Sequence, residues 1–256
     1  MLPLDHVRIL ITRTRSQASE LAAQLEALGA ETILIPTIEL APPSSYCVLD
    51  AALASLRSFD WLLFTSANAV DCFIERARQQ GITPNPKRIA AIGPATAKAV
   101  ERHNLTVDLI PPIYIAESLA EALIPEASGK NFLLVRAEEA RDILPDTLAT
   151  AGATVTIAPA YRNQTPPDAI PALHRIFATP ETHPHVITFT SSSTARNLLT
   201  LLETANLKLP LEVILASIGP ITSETLRDLG HAPTLEAGEP TVASLTEALA
   251  THLTQH

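Results

Sequence analysis

The chain contains an internal duplication, and this feature constrains its fold more than any other. The segment IAAIGPATAKAV at 89–100 is similar to LASIGPITSETL at 215–226, which lies 126 positions later. Further similar pairs follow in the same order at offsets of 123 to 125, namely 7–13 with 131–137, 25–36 with 148–159, and 60–70 with 185–195. An ordered series of this kind predicts two copies of one structural unit.

Each copy alternates short apolar segments with amphipathic ones. WLLFT at 61–65 is apolar almost throughout, which is typical of a strand buried on both faces of a parallel sheet. SQASELAAQLEAL at 16–28 repeats apolar residues at the spacing of one helix face. The alternation predicts an α/β fold of two similar domains, each a parallel sheet flanked by helices with right-handed crossovers.

Proline-rich segments stand at equivalent places in the two copies. PTIELAPP at 36–43 and PAYRNQTPP at 159–167 follow the same strand in each copy and are predicted to be inter-domain linkers. The prediction gives one discontinuous domain, 1–35 plus 168–256, and one inserted domain, 44–158. Two domains joined by a two-stranded linker are expected to face each other across a cleft.

The composition narrows the classes of function. The net charge of −9 and pI near 5.3 disfavour a nucleic-acid partner, which would call for a basic face. No apolar run reaches the roughly 20 residues of a membrane span, and no signal-peptide pattern is present, so a cytoplasmic protein without a membrane partner is expected.

Cys47 and Cys72 are predicted to be buried, reduced thiols.

Two Gly-Pro corners are candidate binding sites. Gly93 and Gly219 each precede a proline that suits the first position of a helix, and without a Cβ they would let a ligand approach the backbone N–H groups. Thr96 and Thr222 add a hydroxyl to the same turns. An ordinary tight turn with local capping is the alternative interpretation.

Serines mark a second pair of helix starts. Ser66, Ser191 and Ser192 stand where a strand is followed by a helix, and such serines commonly cap helices. In parallel sheets, ligands bind at the carboxyl ends of the strands, where helix N–H groups favour anions. Four such helix starts therefore predict a site for several anionic groups, although capping alone explains any one serine.

Charged and phenolic side chains complete the candidate set. Arg13 and Arg136 follow equivalent strands and could pair with carboxylates, with ordinary surface salt bridges as the alternative. Tyr161 lies in the second predicted linker, where it could donate a proton into the cleft or simply pack. Phosphate-loop, dinucleotide-binding, hydrolase and zinc-protease motifs are absent from the sequence, and no metal site is predicted.

Taken together and in order, these motifs resemble the uroporphyrinogen-III synthase family. The resemblance extends from about residue 7 to residue 250 through ILITR, FDWLLFTSANAV, IAAIGPATAKAV, LLVRAEEARDILPDTLATAGATVTIAPAYRN, VITFTSSSTARNLL and ASIGPITSETLRDLG. It implies a monomeric lyase that closes the linear tetrapyrrole hydroxymethylbilane to uroporphyrinogen III, with inversion of ring D and loss of water. It also implies that no metal or organic cofactor is used.

The resemblance also implies roles for individual residues. Tyr161 matches the family tyrosine that is favoured as proton donor to the departing hydroxyl. The threonines and serines that match Thr96, Thr222, Ser66 and Ser191 line the cleft in the family. The expected substrate-binding set adds Ser192, Gly93, Gly219, Arg13, Arg136 and Arg141. The chain departs from many relatives at Thr14, Asn68 and Ala140. A transient contact with hydroxymethylbilane synthase is a further expectation.

A protein of another class is the alternative. A non-catalytic intracellular module that binds a small anion, or regulates in response to one, can use the same two-domain scaffold and close on its ligand without chemistry. A nucleotide-binding enzyme is disfavoured because the sequence has no phosphate loop. Formation of uroporphyrinogen III without an added cofactor separates the synthase from the binding module.

Overall fold

The computed structural model of the protein describes residues 2–254, apart from the side chains of residues 15–17. The chain forms two compact units. Unit 1 comprises Met1–Glu39 and Gln164–His256, and unit 2 comprises Leu40–Asn163. Each unit is built on its own mainly parallel five-stranded sheet flanked by helices, which confirms the predicted α/β fold class.

Unit 1 has a parallel sheet with two helical layers. Its strands are β1 (Arg8–Ile11), β2 (Glu31–Leu34), β8 (Val186–Phe189), β9 (Ile214–Ser217) and β10 (Leu235–Glu236), in the order β10-β9-β8-β1-β2. Its helices are α1 (Arg15–Ala27), α7 (Ala169–Ile176), α8 (Ser192–Thr204), α9 (Pro220–Asp228) and α10 (Val242–Thr254). Helices α1 and α10 share one hydrophobic core with the sheet, and α7, α8 and α9 share the other.

Unit 2 repeats this plan. Its strands are β3 (Glu39–Ala41), β4 (Trp61–Phe64), β5 (Ile89–Ala91), β6 (Asn131–Ala137) and β7 (Thr154–Gln164), in the order β3-β7-β6-β4-β5. The four strands from β7 to β5 are parallel. Its helices are α2 (Cys47–Ala54), α3 (Ala67–Gln79), α4 (Pro94–Glu101), α5 (Ala116–Leu123) and α6 (Ile143–Thr150).

Strand β4 shows how the sequence produces this layering. All four of its residues are buried. Successive side chains point to opposite faces of a strand, so Leu62 and Phe64 join the core with α3, while Trp61 and Leu63 join the core with α5 and α6. Full burial of one such side chain contributes about 1.5–3 kcal/mol. An apolar strand of this kind is therefore stable only between two helical layers.

The segments predicted as linkers contain strand residues. Strand β7 continues through 159–164, and β3 lies beside it in the sheet of unit 2. Pro159 is tolerated because the register between β6 and β7 shifts directly after its partner Arg136, and prolines within sheets occur at such irregularities. Tyr161 belongs to the hydrophobic core of unit 2. Pro159 therefore does not interrupt β7, whereas the prolines at 36, 42–43 and 166–167 lie outside the strands.

Among residues 2–254, none of the helices has both the length and the apolar character that a bilayer span requires. Both cysteines are free thiols. Cys72 is half-buried rather than buried, and this partial burial, followed by the negative charge of Asp71, raises the pKa of its thiol. The prediction of burial is wrong for Cys47, which is exposed because it is the first residue of α2 and the packed residues of that helix lie further along.

Candidate functional site

In unit 2, Ser66 begins the helix that follows β4. Its backbone is extended, with φ −164° and ψ 156°, and its Oγ accepts a hydrogen bond from the backbone N–H of Ala69 at 3.1 Å. One of the orphan N–H groups of α3 is thereby satisfied, as the sequence predicts for a capping serine. The first turn of α3 lies at the carboxyl end of the parallel sheet.

Tyr161 joins this helix start from a distant part of the chain. Its OH lies 3.1 Å from Ser66 Oγ, and either atom can be the donor. The phenol is nearly buried, with 7% of its surface exposed. Because Ala69 N–H already donates to Ser66 Oγ, the serine hydroxyl proton remains available for the tyrosine. The pair holds the phenol in one orientation, which suits a proton donor.

The Gly-Pro corner of unit 2 lies on the neighbouring strand. Gly93 follows β5 and caps α4, and Pro94 occupies the first helical position. The backbone of Gly93 is extended at φ −174°, which any residue can adopt, but an added Cβ would lie 3.1 Å from the Cβ and Cγ of Tyr114, so Tyr114 would have to shift. Thr96 is buried within the first turn rather than presented to solvent. Since β4 and β5 are paired, Ser66 and Gly93 share one sheet edge.

Unit 1 repeats the capping serine with different partners. Ser191 Oγ accepts from the N–H of Thr194 at 3.3 Å, and Thr194 Oγ1 accepts from the N–H of Ser191 at 3.2 Å. This capping box satisfies two orphan donors reciprocally. Ser192 accepts from Thr225 Oγ1 at 2.8 Å and donates weakly to the carbonyl of Ile221 at 3.4 Å. It therefore ties α8 to α9.

The Gly-Pro corner of unit 1 has an additional serine that sequence reasoning missed. Ser217 is fully buried, and its Oγ donates to the Gly219 carbonyl at 3.0 Å while accepting from the Gly219 N–H at 3.3 Å. The equivalent residue in the other copy is Ala91. This serine-for-alanine difference was the only signal in the sequence that could have pointed to Ser217. Thr222 is buried like its counterpart.

The three candidate arginines differ in their surroundings. Arg13 is half-buried beyond the end of β1, which is paired with β8, so Arg13 and Ser191 share the carboxyl edge of unit 1. Arg136 is nearly buried and donates to the Arg141 carbonyl at 2.9 Å and to Asp142 Oδ1 at 2.5 Å. Its Nε has no partner within the part of the chain that the structure describes. The side chain of Arg141 is exposed.

The alternation of β6 separates Arg136 from the Tyr161 pair. Phe132 and Leu134 pack on one face of the sheet, and Ala137 packs with Tyr161 on the other. Arg136 belongs by alternation to the face of Phe132 and Leu134. Its guanidinium holds the loop before α6 by two hydrogen bonds. A substrate-binding role for Arg136 stays a prediction.

The fold and its helix starts define the class: a protein of two α/β units suited to binding anionic ligands. Each unit is a parallel α/β structure whose helix starts, at Ser66 and Gly93 in one and Ser191 and Gly219 in the other, lie at the carboxyl edge of its sheet. Such edges bind ligands, and helix N-termini favour anions. Within residues 2–254, no three His, Cys, Asp or Glu side chains form a metal-binding group.

Comparison with known proteins identifies the family. The family model described as uroporphyrinogen-III synthase HemD matches residues 19–247. A uroporphyrinogen-III synthase of Synechococcus elongatus is 39% identical over 96% of both chains. A putative uroporphyrinogen-III synthase of Methanothermobacter thermautotrophicus is 32% identical over 86% of this chain and 88% of its own. The chain belongs to the uroporphyrinogen-III synthase family, as its motifs predict.

Solved structures are similar in fold. A mutant uroporphyrinogen III synthase of Thermus thermophilus gives a TM-score of 0.63 at 20% identity, over 98% of this chain and all of its own. A uroporphyrinogen-III synthetase of Helicobacter pylori gives 0.57 at 21% identity over the same shares. Both support the α/β fold described above.

Proposed function

We propose that the protein is a cofactor-free lyase that converts hydroxymethylbilane to uroporphyrinogen III by inversion of ring D, with loss of water. The reaction is inferred from the family. Tyr161 and Ser66 of unit 2 are the residues proposed to take part in it. The proposal includes action as a cytoplasmic monomer that receives its substrate from hydroxymethylbilane synthase.

The hydrogen-bonded pair of Tyr161 and Ser66 is the observation that carries the proposal. Loss of the substrate hydroxyl as water requires a proton, and a phenol held at 3.1 Å from a serine hydroxyl is an oriented donor. When Tyr161 gives up its proton, the Ser66 hydroxyl can donate a hydrogen bond that stabilises the phenolate. The Ala69 N–H donates a hydrogen bond to the serine oxygen at the same time.

The helix starts suit the rest of the substrate. Hydroxymethylbilane carries eight carboxylates, and hydrogen bonds that involve a charged group are worth about 1.5–3 kcal/mol each. The N–H groups of α3 and α4 in unit 2, and of α8 and α9 in unit 1, are suitable donors. Such donors allow a protein of net charge −9 to bind a polyanion without a basic surface.

Orientation of the substrate is the second contribution to the proposed reaction. The bilane closes spontaneously without inversion, so the enzyme must hold a geometry from which the inverted ring forms faster. Fixing reacting atoms in a productive arrangement can lower a barrier by several kcal/mol. Many weak contacts to carboxylates provide such fixation, while the phenol acts at one end of the substrate.

The isomer of the product tests the proposal. Hydroxymethylbilane is generated in place, the purified protein is added without a cofactor, and the oxidised products are separated by chromatography. Predominance of uroporphyrin III over the isomer I of a protein-free control is expected. Isomer I alone, from protein with a cooperative unfolding transition, would overturn the assignment and favour the anion-binding module.

A further inference from the structure

Unit 2 exposes apolar side chains in the loop that precedes α5. Ile113 is 60% exposed and Tyr114 59% exposed, and Ile110 and Ile115 are also exposed. The backbone N–H of Ile115 donates to the carbonyl of Ile113 at 2.9 Å, which forms a tight turn centred on Tyr114. A contiguous cluster of exposed apolar side chains commonly marks a binding surface.

The chain brings this loop to the edge that holds the candidate site. Leu109 forms a parallel bridge with Ala90 of β5, so the residues after it pass the carboxyl end of that strand. There Tyr114 lies over Gly93, since a Cβ added at Gly93 would come within 3.1 Å of its Cβ and Cγ. The missing side chain at Gly93 thus makes room for the tyrosine beside the first turn of α4.

The duplication supplies an internal comparison. In unit 1, a Cβ added at Gly219 would meet Pro240 at 3.4 Å, and Pro240 is the equivalent of Tyr114 at the offset of 126 positions. Both copies therefore cover the glycine of the corner with this residue. Only unit 2 uses an aromatic ring there, and the same unit carries Tyr161.

We propose that Tyr114 is a substrate-binding residue whose ring lies against a pyrrole ring of the tetrapyrrole. The N–H groups at the start of α4 would then bind the carboxylates of that ring. Offset stacking and edge-to-face contacts both suit two aromatic rings. This inference rests on the proposed function, which supplies the class of ligand. Tyr114 makes no contact on which the capping serines or Tyr161 depend, so its role can be tested separately.

Substitution of Tyr114 in the full-length protein tests the inference. Tyr114→Ser removes the ring, Tyr114→Phe keeps it, and Ile124→Ala is the control, since Ile124 is a similarly exposed apolar residue of unit 2 that lies past the other end of α5. We expect Tyr114→Ser to raise KM and to weaken binding of uroporphyrin III roughly two- to tenfold, the factor that aromatic pairing gives. Tyr114→Phe and the control should match the wild type in both.

A second substitution tests the same contact without removing the tyrosine. The extended backbone of Gly93 accepts alanine, but the new methyl group would force Tyr114 to move. Gly93→Ala should therefore weaken uroporphyrin binding in the same direction as Tyr114→Ser. Fluorescence of Trp61, the single tryptophan, checks that unit 2 remains folded in each variant.

The outcomes separate this inference from the proposed function. Wild-type KM and uroporphyrin affinity in folded Tyr114→Ser would overturn the role of Tyr114, whatever isomer the wild type forms. Unchanged KM and uroporphyrin affinity are what we would observe if Tyr114 had only a structural role or contacted a protein partner. If the wild type forms only isomer I, the proposed function fails. The uroporphyrin titration then still shows whether Tyr114 contributes to binding of a tetrapyrrole. A wild type without turnover or uroporphyrin binding would overturn both.

Discussion

At the scale of single residues, Tyr161 and Ser66 are the sharpest targets. Tyr161→Phe keeps the buried ring and removes the OH that lies 3.1 Å from Ser66 Oγ. We expect kcat to fall roughly 100-fold or more, as is typical for loss of a general acid, because the phenol that protonates the leaving group is removed. Initial rates of isomer III formation measure the effect.

A matched tyrosine controls this experiment. Tyr46 lies in the same unit, and its ring stacks under the Arg76 guanidinium at 4.1 Å. Tyr46→Phe retains that ring and should leave kcat unchanged. Turnover at the wild-type rate in Tyr161→Phe would remove the phenol from the proposed mechanism, while the synthase assignment would stand.

The Ser66 hydroxyl combines two roles that substitution can separate. Ser66→Gly and Ser66→Ala both remove the partner of Tyr161, so both should lower kcat by the same factor. Glycine is a tolerable N-cap and alanine is not, so Ser66→Ala should lose about 1 kcal/mol of unfolding free energy and Ser66→Gly only a few tenths. Urea unfolding and kcat are measured for both. A kcat that follows stability instead would show that Ser66 acts only as a cap.

At the scale of secondary structure, one ion pair links two helices of unit 2. Asp50 of α2 accepts two hydrogen bonds from Arg76 of α3, at 2.7 and 2.6 Å. Hydrogen bonding to Arg76 lowers the pKa of Asp50 below its usual value, against the opposing effect of burial. The folded state therefore holds this carboxylate ionised at a pH where the unfolded chain would protonate it.

This pair predicts a pH dependence of stability. A carboxyl group with a lowered pKa stabilises the folded state above its unfolded pKa, about 3.9, and the contribution disappears as the pH falls through the folded value. We expect wild type to be more stable than Asp50→Asn at pH 7 and the two to converge below pH 4. Glu75→Gln should show a smaller difference at pH 7, because Glu75 pairs with the exposed Arg78 of its own helix. Urea unfolding followed by Trp61 fluorescence tests this, and a difference unchanged down to pH 3 would contradict it.

The elements were predictable to the extent that they depend on local sequence. Apolar strands such as 61–64 and the capping serines follow from spacing and from side-chain chemistry near the backbone. The continuation of β7 through Pro159 was not predictable, because the register shift beside Arg136 depends on the partner strand.

The site was predictable only residue by residue. Sequence reasoning selected Tyr161 and Ser66 separately, but their hydrogen bond joins residues 95 positions apart and arises only from the strand order. Tyr114 was missed because its relation to Gly93 depends on the path of a loop. Arg136 carries the same guanidinium as any binding arginine, and only the fold shows its hydrogen bonds to the loop before α6.

At the scale of the whole molecule, the duplication leaves one copy chemically distinct. The capping serines and Gly-Pro corners occur in both units, whereas the equivalents of Tyr161 and Tyr114 in unit 1 are Ile38 and Pro240. The substrate is also a repeat, of four similar rings, and only one of them is inverted. A duplicated scaffold whose helix starts suit carboxylates in both copies, and whose tyrosines all lie in one, is suited to chemistry at a single ring.

The duplication also predicts that unit 2 folds without unit 1. Residues 40–163 are continuous and contain a complete sheet with hydrophobic cores on both faces. The shorter fragment 44–158 lacks β3 and the end of β7, including Ala160 and Tyr161 of the core. We expect the longer fragment to unfold cooperatively, and the shorter one to be less stable by several kcal/mol, since it loses strand pairing and buried apolar surface.

Trp61 provides the measurement, because it is the single tryptophan of the chain and lies buried in unit 2. Its fluorescence should report a urea transition of the 40–163 fragment that coincides with the transition in far-ultraviolet circular dichroism, as two-state unfolding requires. The 44–158 fragment should have a lower midpoint or no transition. Equal midpoints would place the domain boundary at the prolines, where the sequence alone predicts it, and would make the continuation of β7 dispensable to unit 2.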